Sequence, residues 1–125
     1  MRLHNLLGEY LDALETVIDG LPAYAEKYLE EVLTPERVNL RLRLRFDNGS
    51  LLEVNEAVVV DGEELVTLGY RYHCQDDANR LLFRYDDTPH FPDLDTFPHH
   101  KHIGQIVISH EKPRLIDALH EAAGL

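Results

Sequence analysis

From Val38 the chain alternates with a period of two: Val38, Leu40, Leu42, Leu44 and Phe46 are apolar, and Asn39, Arg41, Arg43 and Arg45 stand between them. That pattern predicts a half-buried strand with one arginine face. Asn48-Gly49 marks a turn, and "LLEVNEAVVV" reads as the returning strand. "DGEE" turns the chain again. "LVTLGYRYHC" and "RLLFRYD" then form a third and fourth strand around "QDDAN". Connections this short make the meander antiparallel. Ahead of it, Leu3, Leu6, Leu7, Tyr10, Leu11, Leu14 and Ile18 recur at helical spacing, and Gly20 and Pro22 punctuate the end of that helix. A second helical stretch is expected over about 23–33, carrying Tyr24, Tyr28, Leu29 and Val32, until "TPER" breaks it. Residues 87–102 have no period and read as a loop, with "GQIVIS" as a short fifth strand. "KPRLIDALHEAAGL" closes the chain as an amphipathic helix with Leu115, Ile116 and Leu119 on one side and Pro113 in its first turn. The expectation is an α+β fold in a single domain over residues 1–125. An N-terminal helical segment precedes an antiparallel sheet of four or five strands. A C-terminal helix packs on the apolar face, and the helices cover Leu40, Leu42, Leu44, Tyr70, Tyr72, Phe83 and Tyr85.

Composition narrows the function classes. With 125 residues, 44 % of them hydrophobic, the chain can bury a core. Glu9, Asp12 and Glu15 exclude the first helix as a membrane span, no signal peptide is visible, and the expected location is cytoplasmic. The lone Cys74 cannot form an internal disulfide and reads as a small core residue. A net charge of −11 argues against a protein that coats nucleic acid with its whole surface. The charge is unevenly placed: residues 1–36 hold eight acids against Arg2 and Lys27, whereas residues 37–46 hold Arg37, Arg41, Arg43 and Arg45 and no acid. An acidic body with a local face for an anionic ligand follows.

Two regions carry candidate chemistry. On the third strand Arg71 and His73 share a face, about 7 Å apart along the chain. Arg84 on the fourth strand lies on the same side, and guanidinium groups suit phosphate oxygens. The arginines of the first strand read instead as cross-strand partners, Arg43 or Arg45 opposite Glu53. The second region is the loop "YDDTPHFPDLDTFPHHKH", stiffened by Pro89, Pro92 and Pro98. Three readings compete for it. His99, His100 and His102 with Asp95 or His90 would make a zinc site, although adjacent histidines rarely face one ion. The same histidines would serve metal-independent acid–base chemistry on RNA, with arginine and lysine stabilising a charged phosphorane. Or they are solvated loop residues at an interface. His4 and His120 belong to helices, and His110 to a local turn before the last one.

"YRYHCQD" and "LLFRYDDTPHFPDLDTFPHHKH" resemble the TumE family of toxins from prokaryotic toxin–antitoxin systems. The likeness is strongest over residues 68–103 and extends more weakly to "LRLRFDNGSLLEVNE". Its motif falls on Tyr70, Arg71, Tyr72, Phe83, Arg84, Tyr85, Asp86, Pro89, His90, Phe97, Pro98, His99, His100, Lys101 and His102. Asp87 departs from an expected asparagine, and Phe91 stands where a second histidine often follows His90. The resemblance implies a small toxin, neutralised by an antitoxin from the same operon, that acts on RNA. With the residue reading it gives the expectation of a metal-independent endoribonuclease without a cofactor. His90, His99, His100, Lys101, His102 and Tyr85 would carry the chemistry, and Arg71, Tyr72, His73 and Arg84 would hold the substrate. A non-catalytic binding module anchored by Tyr72, Tyr85, Phe91 and Phe97, and a metal-dependent hydrolase, are the alternatives. The expected partners are the antitoxin, covering Arg71, Arg84 and Lys101, and RNA as a transient substrate, with no membrane. A free sheet edge invites a homodimer.

Overall fold

The computed structural model describes residues 2–124. Helix α1 (Asn5–Asp19) leads into a seven-stranded sheet: β1 (Ala23–Thr34), β2 (Arg37–Phe46), β3 (Leu51–Asp61), β4 (Glu64–Gln75), β5 (Leu81–Asp86), β6 (His100–Ile103) and β7 (Ile106–Ser109). Helix α2 (Leu115–Ala123) follows. The strands lie in chain order, β1 to β7, and every pair is antiparallel. The α+β class and the antiparallel meander are as expected; the strand count is larger, seven rather than four or five.

Two segments account for the difference. The stretch expected to be a second helix is β1, paired with β2 from Ala23↔Phe46 to Thr34↔Arg37. Its alanine, glutamate, lysine and leucine content favours a helix locally, but pairing along β2 outweighs that preference. As an edge strand it buries neither face well, and Tyr24, Leu29, Val32 and Leu33 are exposed, so no alternation marks it. The second segment is "HHKHIGQIVIS". The irregular chain ends at His99, and His100–Ile103 forms a hairpin with Ile106–Ser109. Gly104 turns that hairpin at φ 58°, a left-handed conformation that glycine adopts without steric cost.

Both helices cover one face of the sheet. Leu7, Leu11 and Leu14 of α1 and Leu115, Ala118, Leu119 and Ala122 of α2 pack on Leu40, Leu42, Leu44, Val54, Tyr70, Tyr72, Cys74, Phe83 and Tyr85. Burying each large apolar side chain stabilises the fold by roughly 1.5–3 kcal/mol. His4 caps α1: its Nδ1 accepts the Leu6 N–H at 3.1 Å. Arg114 is the N-cap of α2, so Pro113 precedes the helix instead of lying in its first turn. One carboxylate, Glu56, is buried within this layer and accepts hydrogen bonds from the Tyr10 and Tyr72 hydroxyls. Burial, with Glu56 beside them, pushes both phenols up and keeps them as donors.

Candidate functional site

The other face of the sheet carries the candidate site, because antiparallel register sets residues side by side across strands. One row runs Arg41, Asn55, Arg71, Asp86, His100. The next runs Arg43, Glu53, His73, Arg84, His102. Side chains of directly paired residues share a face, so Arg71, His73, Arg84, Asp86, His100 and His102 all lie opposite the helices.

At the β5–β6 end of these rows, His100 Nε2 is 3.0 Å from Asp86 Oδ1, and His102 Nε2 is 3.8 Å from Asp86 Oδ2. His100 is 2 % exposed and Asp86 4 %. The backbone fixes both: His100 Nδ1 lies 3.0 Å from the Pro98 carbonyl, and Thr88 N–H donates to Asp86 Oδ1 at 2.9 Å. Among the described residues, Asp86, His100 and His102 form a group whose ligand atoms could hold a metal ion, all within 4.8 Å of one another. Phe91 closes one side, its ring centroid 5.0 Å from that of His100 and 5.9 Å from that of His102. Burial pushes the His102 imidazole below its ordinary range, His100 beside it adds to that, and Asp86 opposes it.

Along the same row, Arg84 Nε–H donates to His73 Nδ1 at 3.1 Å, and His73 Nε2 meets Gln75 Oε1 at 3.0 Å. His73 is thereby held as the tautomer protonated at Nε2. Burial first, then Arg84 and Arg71, push it towards the neutral form. Arg71 is exposed and makes no ion pair among the described residues. The arginines nearer β1 are engaged: Arg43 pairs with Glu26 and Glu53, and Arg45 with Glu26. Two shallow hollows of about 250 and 240 Å³ lie on this face, one over Asn39, Arg41, Asn55 and Gly69, the other over Arg41, Arg43, Glu53 and Asn55.

The remaining residues singled out in the sequence lie elsewhere. Lys101 points to the helix side, 2.9 Å from Glu121 of α2 and 4.6 Å from the centre of the Tyr85 ring. Tyr85 donates to the same Glu121 at 2.6 Å. Tyr72 is fully buried on Glu56. His99 stacks on Tyr70, with Nδ1 3.0 Å from the hydroxyl. His90 is exposed on the loop, its ring 6.5 Å from that of Phe91, and Asp95 is exposed. Of the zinc set considered from the sequence, only His100 and His102 converge. The third member is Asp86, placed on the same face by the alternation of "LLFRYD" but tied to the histidines only by β6. Asp87, the first departure from the motif, accepts the Tyr70 N–H at 3.3 Å, a role any side-chain oxygen fills.

The family model described as Toxin TumE matches residues 14–123. The chain belongs to the TumE toxin family. It is thus a toxin of a toxin–antitoxin pair, with an antitoxin as its partner. Comparison with curated proteins and with solved structures gives no match. The matched span takes in every strand and both rows of the open face. Among the described residues no helix is long and apolar enough to cross a membrane.

Proposed function

We propose that this TumE-family toxin cleaves RNA on the open face of its sheet, with Asp86, His100 and His102 as the reactive cluster and Arg84 and Arg71 as its phosphate-facing cations. The observation that supports this reading is the register of β4, β5 and β6, which puts two arginines in the same two rows as a carboxylate and two imidazoles. Cleavage through the 2′-hydroxyl requires loss of a proton there and stabilisation of a charged phosphorane, from which the 5′-oxygen leaves as it takes up a proton from solvent. The cluster supplies the first at its His102 end, which solvent reaches. Arg84 supplies the second: with its Nε–H on His73, its terminal nitrogens are left to meet phosphate oxygens. His73 acts by positioning that guanidinium. Ala57 and Gly69, paired across β3 and β4 beside the Asn55–Arg71 pair, leave little side chain to lift an RNA strand off the sheet. Lys101, Tyr85, Tyr72 and His99 hold the frame from the helix side.

Purified protein incubated with single-stranded RNA tests the assignment. Arg84→Ala and His102→Gln should each slow cleavage by about 100-fold or more. Lys101→Met should lower the melting temperature yet keep cleavage within a few-fold of wild type. On expression, the first two variants should lose growth arrest. If both remain fully active and toxic, or if the wild type arrests growth without cutting RNA, this reading falls. Convergence of the two imidazoles with Arg84 favours an enzyme over a docking module, in which the same groups would have no reason to meet.

A further inference from the structure

We propose that Asp86, His100 and His102 form a binding site for one divalent transition-metal ion of the zinc type. The proposal rests on the cluster to which RNA cleavage is assigned above, and names the ion that does the activating there.

Strand geometry brings the ligands together. His100 and His102 are two residues apart on β6, so both rings point to the same face, and Asp86 is the direct cross-strand partner of His100. The carboxylate oxygens stand 3.0 and 3.8 Å from the two Nε2 atoms. Two ligands at zinc distances and a tetrahedral angle stand about 3.3 Å apart, between the two values.

Hydrogen-bond partners agree with a bound ion. The Pro98 carbonyl only accepts, so His100 carries a proton on Nδ1. Its Nε2 then faces a carboxylate that also only accepts, so a proton or a metal ion lies between them. A proton on Nε2 would satisfy that contact but not the second, since 3.8 Å between His102 Nε2 and Asp86 Oδ2 is too long for a hydrogen bond. One metal ion satisfies both. The outer contacts match the usual support of metal ligands: a ring N–H on a backbone carbonyl, and a carboxylate oxygen held by a backbone N–H. Imidazole nitrogens favour zinc, copper, iron or nickel over magnesium, calcium and manganese.

The surroundings leave one way in. His100 and Asp86 are buried and Phe91 walls off one side, whereas the His102 side chain is 21 % exposed. Three protein ligands with an open position are the arrangement of a catalytic zinc site. Such an ion lowers the pKa of a bound water or hydroxyl group and polarises a phosphoryl oxygen. Arg84, in the same row as His102, opposes the cation, and the Asp86 carboxylate offsets it.

Metal-stripped full-length protein is titrated with Co²⁺, followed by its visible absorption, and with Zn²⁺ by calorimetry. One Co²⁺ per chain should bind with the strong absorption of a four- or five-coordinate site, be displaced by Zn²⁺, and be untouched by excess Mg²⁺. His102→Gln should weaken Zn²⁺ binding by about tenfold or more, with the stripped protein's melting temperature unchanged. Phe91→His, which sets a third imidazole against the two already present, should tighten it by a similar factor. No low-coordinate Co²⁺ spectrum, or Zn²⁺ binding indifferent to both substitutions, overturns the proposal. RNA cleavage that persists in chelator, with no ion bound, overturns it and leaves the ribonuclease reading intact. Stoichiometric metal without RNA cleavage does the reverse.

Discussion

At the scale of the residue, the run His99-His100-Lys101-His102 shows how a strand divides one cluster into two. Read as a loop, these four side chains form a single polar group. Once His100–Ile103 is β6, pleating sends His100 and His102 to the open face and Lys101 to Glu121 on the helix side. The faces of Arg71, His73 and Arg84 were legible because "GYRYHC" and "LLFRYD" alternate without interruption. Asp86 belonged to the same pattern, yet its meeting with His100 depends on a register that no local signal carries. Cys74 was legible for the opposite reason: it shares the apolar side of β4 with Tyr70 and Tyr72, at every second position, and it is fully buried. Burial pushes its thiol up to about 11, so it stays protonated until pH rises through that value. A thiol reagent at pH 8 should therefore label the native protein more than about 100-fold more slowly than the denatured chain, whose cysteine has the ordinary pKa near 8.5. Rapid native labelling, followed by absorbance, would place Cys74 outside the core.

At the scale of the element, strands that alternate were found and strands that do not were missed. β2 reads cleanly because α1 and α2 bury one of its faces while the other carries arginines. β1 has a neighbour on one side only, and its pairing with β2 shifts register between Ala25 and Lys27 and again between Val32 and Thr34. Each shift breaks the period of two, so the helix-forming composition was all that remained to read. β6 was hidden by Pro98 and by polar residues on both of its faces. Helix α1 was the plainest element, and its sequence pattern also predicts its energetics. Leu7, Leu11 and Leu14 form its buried stripe, and Leu14 is 1 % exposed. Leu14→Ala should cost about 2–5 kcal/mol in a denaturant titration, through lost burial and the cavity left against the sheet. A loss under about 1 kcal/mol would mean that α1 does not depend on this stripe for its place on β3 and β4.

At the scale of the whole molecule, the net charge of −11 and a face able to meet phosphate coexist because ion pairing sorts the cations. Glu26 and Glu53 neutralise Arg43 and Arg45 on the open face, and Glu121 neutralises Lys101 on the other. Of the paired rows, Arg41, Arg71 and Arg84 are left without a carboxylate partner among the described residues. An antitoxin that blocked the site proposed above would have these three to cover, with Lys101 on the opposite face. A homodimer would use the sheet edges, where Leu29 and Val32 of β1 and Ile106 of β7 are exposed. On the RNA reading proposed above, the same count sets how binding responds to salt. Single-stranded RNA releases about 0.7 counterions per phosphate neutralised, so three cations give a log–log slope of about −2. Raising salt from about 50 to 200 mM should then weaken binding only about 15-fold, far less than for a protein that coats nucleic acid. Arg71→Gln should make the slope shallower by about 0.7, whereas Arg43→Gln, which removes a cation already paired twice, should leave it unchanged. Fluorescence anisotropy with a labelled single strand measures both. A slope steeper than about −4 would mean that the acidic body presents more free cations to RNA than this face contains.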